Sequence, residues 1–358
     1  MHDIVTLLNG SELPMPDFLK HPSPWRHDVL GALCFASETV PSEFQPDTDI
    51  PCLCVPMPRL DAADAICEIW YGTGELSQGR VGDIHYRHDS DMLFGVVLVA
   101  EAQFGAQANK TPLQQATESA YHQVFGLLEK LDYPHLFRFW NYIADINTHS
   151  FGLERYRQFN LGRQEAFLAH GREVVGNVPA ACALGFGQTS ATATLTIAFM
   201  AGRVAPRGIE NPRQISAYQY PEEYGPRSPT FSRASLVKMG KDEVLFISGT
   251  ASIVGHATLH PCDVIAQTRE TVANLEAVLT EANAVSKTRF DLASLHYKVY
   301  VRHMSDLDTV RAELERLVGG NLNAIYLQAD VCRDDLLLEI EATAGHPMRK
   351  PDNQANAA

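Results

Sequence analysis

The chain has 358 residues, 45% hydrophobic and 20% charged, which is ordinary for a globular protein and enough for two domain-sized cores. Its formal net charge of −14 argues against a nucleic-acid partner, because affinity for a phosphate backbone rests on basic patches that release counterions. No apolar run approaches the roughly 20 residues of a membrane span, and Met1-His2-Asp3 opens no basic or apolar leader, so no membrane contact and a cytoplasmic location are expected.

Residues 1 to 75 carry short apolar runs such as Val29–Phe35 and Cys52–Val55 between Pro-rich turns, and are expected to add strands to the first core. The seven cysteines (34, 52, 54, 67, 182, 262 and 332) are odd in number and scattered, which predicts reduced thiols rather than a disulfide framework. Cys52-x-Cys54 and His85-x-x-His88 have metal-like spacing, but neither has a second ligand pair at a usual distance, so no metal and no cofactor are expected.

From Asp91 the pattern Met-Leu-Phe-Gly-Val-Val-Leu-Val-Ala predicts a buried strand. Thr111 and Pro112 then open a helix, Thr as cap and Pro in the first turn, with apolar positions at Ala120, Val124, Leu127 and Leu128. A strand over 135–147, a helix near 152–171 and a strand over 193–201 follow. The order repeats in 242–255 (strand-turn-strand), 263–282 (helix), 292–301 (strand) and 305–317 (helix), and internal duplication is the economical account. Aligning the copies sets Leu195–Ala201 against Leu338–Ala344, with Thr196 where Glu339 stands. Between them, residues 203–234 hold too many prolines for a helix but also three tyrosines, Arg213 and Arg227, which predicts an ordered loop rather than a linker.

The stretch Asn321–Ala344 reads as two strands around a tight polar turn. The two-residue period puts Glu339 and Glu341 on one face, opposite Leu336, Leu338 and Ile340. A carboxylate among leucines is costly to desolvate and holds its proton longer than a surface Glu, which suits a general acid. The competing reading is a half-exposed strand whose glutamates face water.

The second copy, with Ser248-Gly-Thr-Ala-Ser252, the helix from Thr268 to Ala277, Lys298-Val-Tyr-Val301 and Leu338-Glu-Ile-Glu-Ala342, resembles the YjgF/Rid fold. That implies an α+β class of duplicated YjgF/Rid-like units, ferredoxin-like and similar to chorismate mutase of the AroH type. The implied divisions are an N-terminal unit with an extension (1–202), a site-contributing loop (203–234), a C-terminal catalytic unit (235–345) and a flexible tail (346–358). Over residues 90 to 345 the chain also resembles the chorismatase family. The motifs are Arg138-Phe-Trp-Asn-Tyr-Ile143, Tyr156-x-x-Phe-x-x-Gly162-Arg163-x-x-Ala-Phe167, Pro179-Ala-x-x-Ala-Leu-Gly185, Asn211-Pro-Arg-Gln214 with Tyr224-Gly-Pro-Arg-Ser-Pro229, and Cys332 seven residues before Glu339.

The resemblance implies that chorismate is cleaved to pyruvate and 3-hydroxybenzoate, with 4-hydroxybenzoate a further product in bifunctional members. Glu339 matches the family's catalytic glutamate, Arg163 and Arg227 match positions that grip carboxylates, and Tyr156 and Tyr218 are candidate substrate contacts. Cys332 stands where the hydroxybenzoate-forming branch carries Cys and the hydrolysing branch Ala. The arginine that simple Rid proteins carry upstream of the glutamate has no counterpart, the chain reading Ala324-Ile325-Tyr326. This weakens the alternative of a Rid-type enamine/imine deaminase, and the presence of the glutamate, the cysteine and the arginines together weakens that of a non-catalytic small-molecule binder. Rid proteins form trimers with sites at subunit boundaries, so either a homotrimer or a monomer that makes such contacts internally is admitted.

Overall fold

The computed structural model describes residues 5–9, 24–36, 49–62, 65–105, 109–187, 193–320 and 322–347. Of the expected flexible tail (346–358), His346 is instead buried against Trp70 and His296, and the residues from 348 onward, like the opening Met1-His2-Asp3, lie outside the described ones.

Three sheets share one strand pattern. The first contains β1 (Val5–Asn9), β2 (Val29–Phe35), β3 (Cys52–Val55) and β4 (Ile66–Tyr71) in the order β1-β4-β2-β3. The second is built from β5 (Ser77–Val81), β6 (Ile84–His88), β7 (Met92–Ala100), β8 (His135–Ala144), β9 (Ala180–Phe186) and β10 (Thr194–Gly202). Its order is β9-β8-β10-β7-β6-β5, and helices α1 (Pro112–Leu131) and α2 (Arg155–Ala169) connect β7 to β8 and β8 to β9.

The third comprises β11 (Arg207–Ile209), β12 (Ala234–Met239), β13 (Asp242–Thr250), β14 (His296–Val301), β15 (Asn323–Gln328) and β16 (Leu338–Ala344), in the order β11-β12-β13-β16-β14-β15. Helices α3 (Val264–Val285) and α4 (Leu307–Val318) connect β13 to β14 and β14 to β15.

In β7-β10-β8-β9, β13-β16-β14-β15 and β1-β4-β2-β3 the first two pairings are antiparallel and the last is parallel. The duplication expected from the sequence is therefore present. Thr196 lies opposite Tyr142 as Glu339 lies opposite Tyr300, so the two positions are equivalent. The N-terminal strands do more than extend the first core: they repeat the pattern a third time, with no α-helix among their described residues.

The alternation of side chains explains the packing. On β16, Leu338, Ile340, Ala342 and Ala344 face α3 and α4 in one apolar cluster, while Glu339 and Glu341 point the other way. That other face meets the inner faces of the remaining sheets in a shared core containing Phe35, Trp70, Phe94, Trp140, Phe246 and Tyr300. Because both faces are covered, each glutamate is only 4% exposed, and the reading in which they face water is excluded.

Side chains cap the starts of α1 and α3, as expected for Thr111. Thr111 accepts from the Gln114 amide at 3.2 Å with Pro112 in the first turn, and Asp263 accepts from the Ala266 amide at 2.9 Å. Two expectations are corrected. The strands of 321–344 are not a hairpin around a tight turn: β14 lies between β15 and β16, and the intervening residues cross over. The cysteines are not all reduced, because Cys34 and Cys67 face each other in register on β2 and β4 and are bonded. Sequence spacing hides this pairing, since it depends on strand register. No helix among the described residues is long and apolar enough to cross a membrane.

Candidate active site

A cavity of about 270 Å³ lies where α2 and β9 of the second sheet meet β13, β16 and the 329–337 crossover of the third. Four of the six residues expected from the sequence line it: Tyr156, Arg163, Cys332 and Glu339.

Helix α2 brings two of them, Tyr156 and Arg163, to one face two turns apart. Its start is fixed by Arg155, which donates to the Ala144 carbonyl at 2.7 Å and to Glu101 at 3.0 Å. Midway, Gly162 lies so close to α1 that a β-carbon would collide with the Gln114 carbonyl, so the Gly162-Arg163 pair sets both the helix approach and the arginine's position. Arg163 is 2% exposed; it donates to Asn160 Oδ1 at 2.8 Å and lies over the Phe159 ring at 5.0 Å. Burial raises the Tyr156 hydroxyl pKa, with Cys332 contributing, so it remains a neutral donor.

The crossover carrying Cys332 is tied to both repeats. Gly185 and Asp330 exchange backbone hydrogen bonds at 2.7 and 3.0 Å. Arg302 donates to the Leu336 and Arg333 carbonyls, each at 2.8 Å, and to Asp330 Oδ1 at 2.6 Å. Burial, with Glu339 second, pushes the Cys332 thiol up to about 12, so it is a neutral, polarisable wall group rather than a thiolate nucleophile.

Glu339 projects into the cavity beside Gly249, at an irregularity in the β13–β16 pairing. Burial above all, then the negative charge of Glu341, raises its pKa to about 8 against an opposing pull from Arg138. Its Oε1 has no hydrogen-bond partner within the protein. Glu341 behaves oppositely: burial alone would raise it, but Lys298 and Arg138 hold it at about 2.

Tyr218 and Arg227 do not line the cavity. Tyr218 sits half-buried on the one-turn segment Ala217–Gln219, and Tyr220, just beyond that turn, faces inward instead. Arg227 is exposed between Pro226 and Pro229, of which Pro229 lines the wall. The added cations are Arg157, Arg233 and Arg333, none singled out from the sequence, and Arg157 is paired with Glu154 at 3.1 Å. Arg233 donates to the Ile215 carbonyl at 2.7 Å and the Tyr220 hydroxyl at 2.9 Å; Arg333 donates to the His256 carbonyl at 2.8 Å and lies over the Tyr224 ring at 4.1 Å. Arg333 follows Cys332 directly and Arg233 ends the Pro-rich loop, adjacencies that hold a signal only once the loop is known to fold over the site. Arg163 Nε, Arg233 Nε and Arg333 Nη2 are buried without a partner in the protein. Among the described residues no cluster of His, Cys, Asp and Glu could hold a metal ion.

A cleft between two repeats, with a buried carboxyl of raised pKa and four arginines in its walls, has the features of a site for a small anion. Residues 68–201 match the family model described as chorismatase FkbO/Hyg5-like, N-terminal. A 3-hydroxybenzoate synthase of Streptomyces hygroscopicus is 37% identical over 288 residues, covering 78% of this chain and 81% of that protein. A chorismatase of Streptomyces rapamycinicus is 37% identical over 286 residues, covering 78% and 82%. A chorismatase crystal structure superposes with a TM-score of 0.79 at 30% identity, covering 96% of this chain and all of that one. The chain belongs to the chorismatase family.

Proposed function

We propose that the protein cleaves chorismate to pyruvate and 3-hydroxybenzoate, with 4-hydroxybenzoate as a further product. The observation that carries this reading is Glu339: a buried carboxyl whose pKa of about 8 keeps it protonated at neutral pH, facing a cavity with unpartnered arginine N–H groups. The relatives named above support the substrate and product.

The Glu339 proton goes to the methylene carbon of the enolpyruvyl ether, leaving an oxocarbenium ion at the ether carbon. Arg163, Arg233 and Arg333 are positioned to satisfy the substrate's two carboxylates, since a guanidinium presents paired donors to a carboxylate. Hydroxybenzoate and pyruvate together contain the atoms of chorismate with no water added, whereas a dihydroxycyclohexadiene product takes up one water. Cys332 fills space where a water would approach, so the substrate's own hydroxyl attacks the adjacent ring carbon that bears the ether, and the bond from that carbon to the ether oxygen breaks, the oxygen leaving as the carbonyl of pyruvate. Aromatisation releases one ring proton, so the acid is regenerated without net uptake.

A pyruvate-release assay with chorismate tests the reaction, and Glu339→Gln tests the donor. Turnover is expected to fall by about 10² or more while chorismate still binds. Near-normal turnover in the variant removes Glu339 from the chemistry.

A further inference from the structure

Behind the acid lies a row of four buried charges that proton transfer does not itself use. Glu341 Oε1 is 2.5 Å from Lys298 Nζ, and its Oε2 accepts from Arg138. Lys298 Nζ is also 3.3 Å from Glu68 Oε2, and Glu68 Oε1 accepts from Trp70 Nε1 at 2.9 Å. Their side chains are 2–9% exposed, and they come from β4 (Glu68), β8 (Arg138), β14 (Lys298) and β16 (Glu341), so all three sheets contribute. Signs alternate along the row and sum to zero.

Stability is a weak reason for such a row, because well-packed apolar groups hold a core at least as well as buried ion pairs. Its placement is more telling. Glu341 is two residues from Glu339 on the same strand face, so a fixed anion ends one pleat from the acid. We propose that Glu341, clamped by Lys298 and Arg138 and backed by Glu68, is a positioning residue that keeps the proton on Glu339 until substrate arrives. The inference rests on reading Glu339 as the proton donor.

The other groups near Glu339 do not supply an anion. Tyr300 on β14, Tyr156 on α2, Cys182 on β9 and Cys332 on the crossover all have pKa values raised by burial and stay neutral. Of the charged lining groups, Glu154 and Arg157 pair at 3.1 Å, Asp334 and Asp335 are exposed and screened by solvent, and Arg163, Arg233 and Arg333 are cations that favour the carboxylate. Without Glu341 the only buried anion left in the row is the more distant Glu68, and Arg138 with the lining arginines would favour the carboxylate of Glu339.

The test is the pH profile of single-turnover pyruvate release in Glu341→Gln, Glu68→Gln and Lys298→Met, alongside the infrared band of the Glu339 carboxylic acid, assigned by its loss in Glu339→Gln. Glu341→Gln is expected to move the alkaline limb and the band's titration down by about one pH unit or more. Glu68→Gln should move both down by less, and Lys298→Met should move both up. A purely structural row would lower folded yield or rate without these opposed shifts. If Glu341→Gln does not fold, the opposite signs of the other two decide; limbs within about 0.3 unit of wild type, or shifted in one direction, overturn the proposal. A wild type with no such carboxylic-acid band removes the donor reading, and the proposal with it; a band present but unmoved removes only the proposal.

Discussion

A β-carbon on Gly249 would overlap the carboxyl of Glu339. The bare backbone of β13 is thus part of the slot that holds the acid, at the point where β13 and β16 fall out of register. Gly249→Ala should push the carboxyl aside and lower turnover by about 10-fold or more, because misplacing a reacting group by an ångström is costly. Its thermal midpoint should fall less than that of a core-cavity variant. A variant with wild-type turnover would show that the slot does not need the glycine.

The raised Glu339 pKa sets both activity and stability against pH. Activity needs the protonated acid and should decline about tenfold per unit above pH 8. For stability, the folded acid titrates near 8 and the unfolded one near 4.5, so the folded state binds the extra proton between them. Stability from this group is full below 4.5 and is lost as pH rises toward 8, at about 1.4 kcal/mol per unit. Denaturation of wild type and Glu339→Gln at pH 5 and pH 8 measures this: the wild type should lose stability relative to the variant. A constant difference would mean that the carboxyl is ionised throughout.

The arginines should separate by position. Arg163→Ala, Arg233→Ala and Arg333→Ala are each expected to weaken chorismate binding by roughly 1.5–3 kcal/mol, the range for a hydrogen bond to a charged group. Arg227→Ala, removing an exposed side chain outside the cavity lining, should change it by under about 0.5 kcal/mol. Calorimetric titration with the Glu339→Gln background avoids turnover. Strong loss in Arg227→Ala would require the 221–229 loop to fold inward on binding.

Cys332→Ala should divert products from the aromatic acid toward the diene diol, because a methyl leaves room for water where the neutral thiol excludes it. Chromatography of the products reads the ratio directly. An unchanged aromatic fraction would free the partition from Cys332.

The sequence made the strand periodicity of Leu338–Ala344, the cap at Thr111 and the shared helix face of Tyr156 and Arg163 visible, because each depends on spacing within one element. What it hid depends on contacts between distant segments. Arg138 reaches Glu341 across 203 positions, and Arg233 enters the site because the Pro-rich loop turns at Tyr220. The third strand pattern was harder to see for another reason: its described residues are strands of four to seven residues with no α-helix among them to align with α1 to α4. Arg227 shows the converse limit, since a motif match fixes a position in the chain but not the direction of a side chain between two prolines.

Three sheets with one strand order, joined in a single polypeptide, free each copy from obeying the others. In an assembly of identical subunits, a glutamate placed at one boundary appears at every boundary, together with the cost of desolvating it. Here β10 carries Thr196 where β16 carries Glu339, and β4 supplies Glu68 to a lysine that only β14 provides. Covalent linkage thus turns a repeating architecture into an asymmetric one, in which a single expensive acid is installed once and its sister positions are left to ordinary packing.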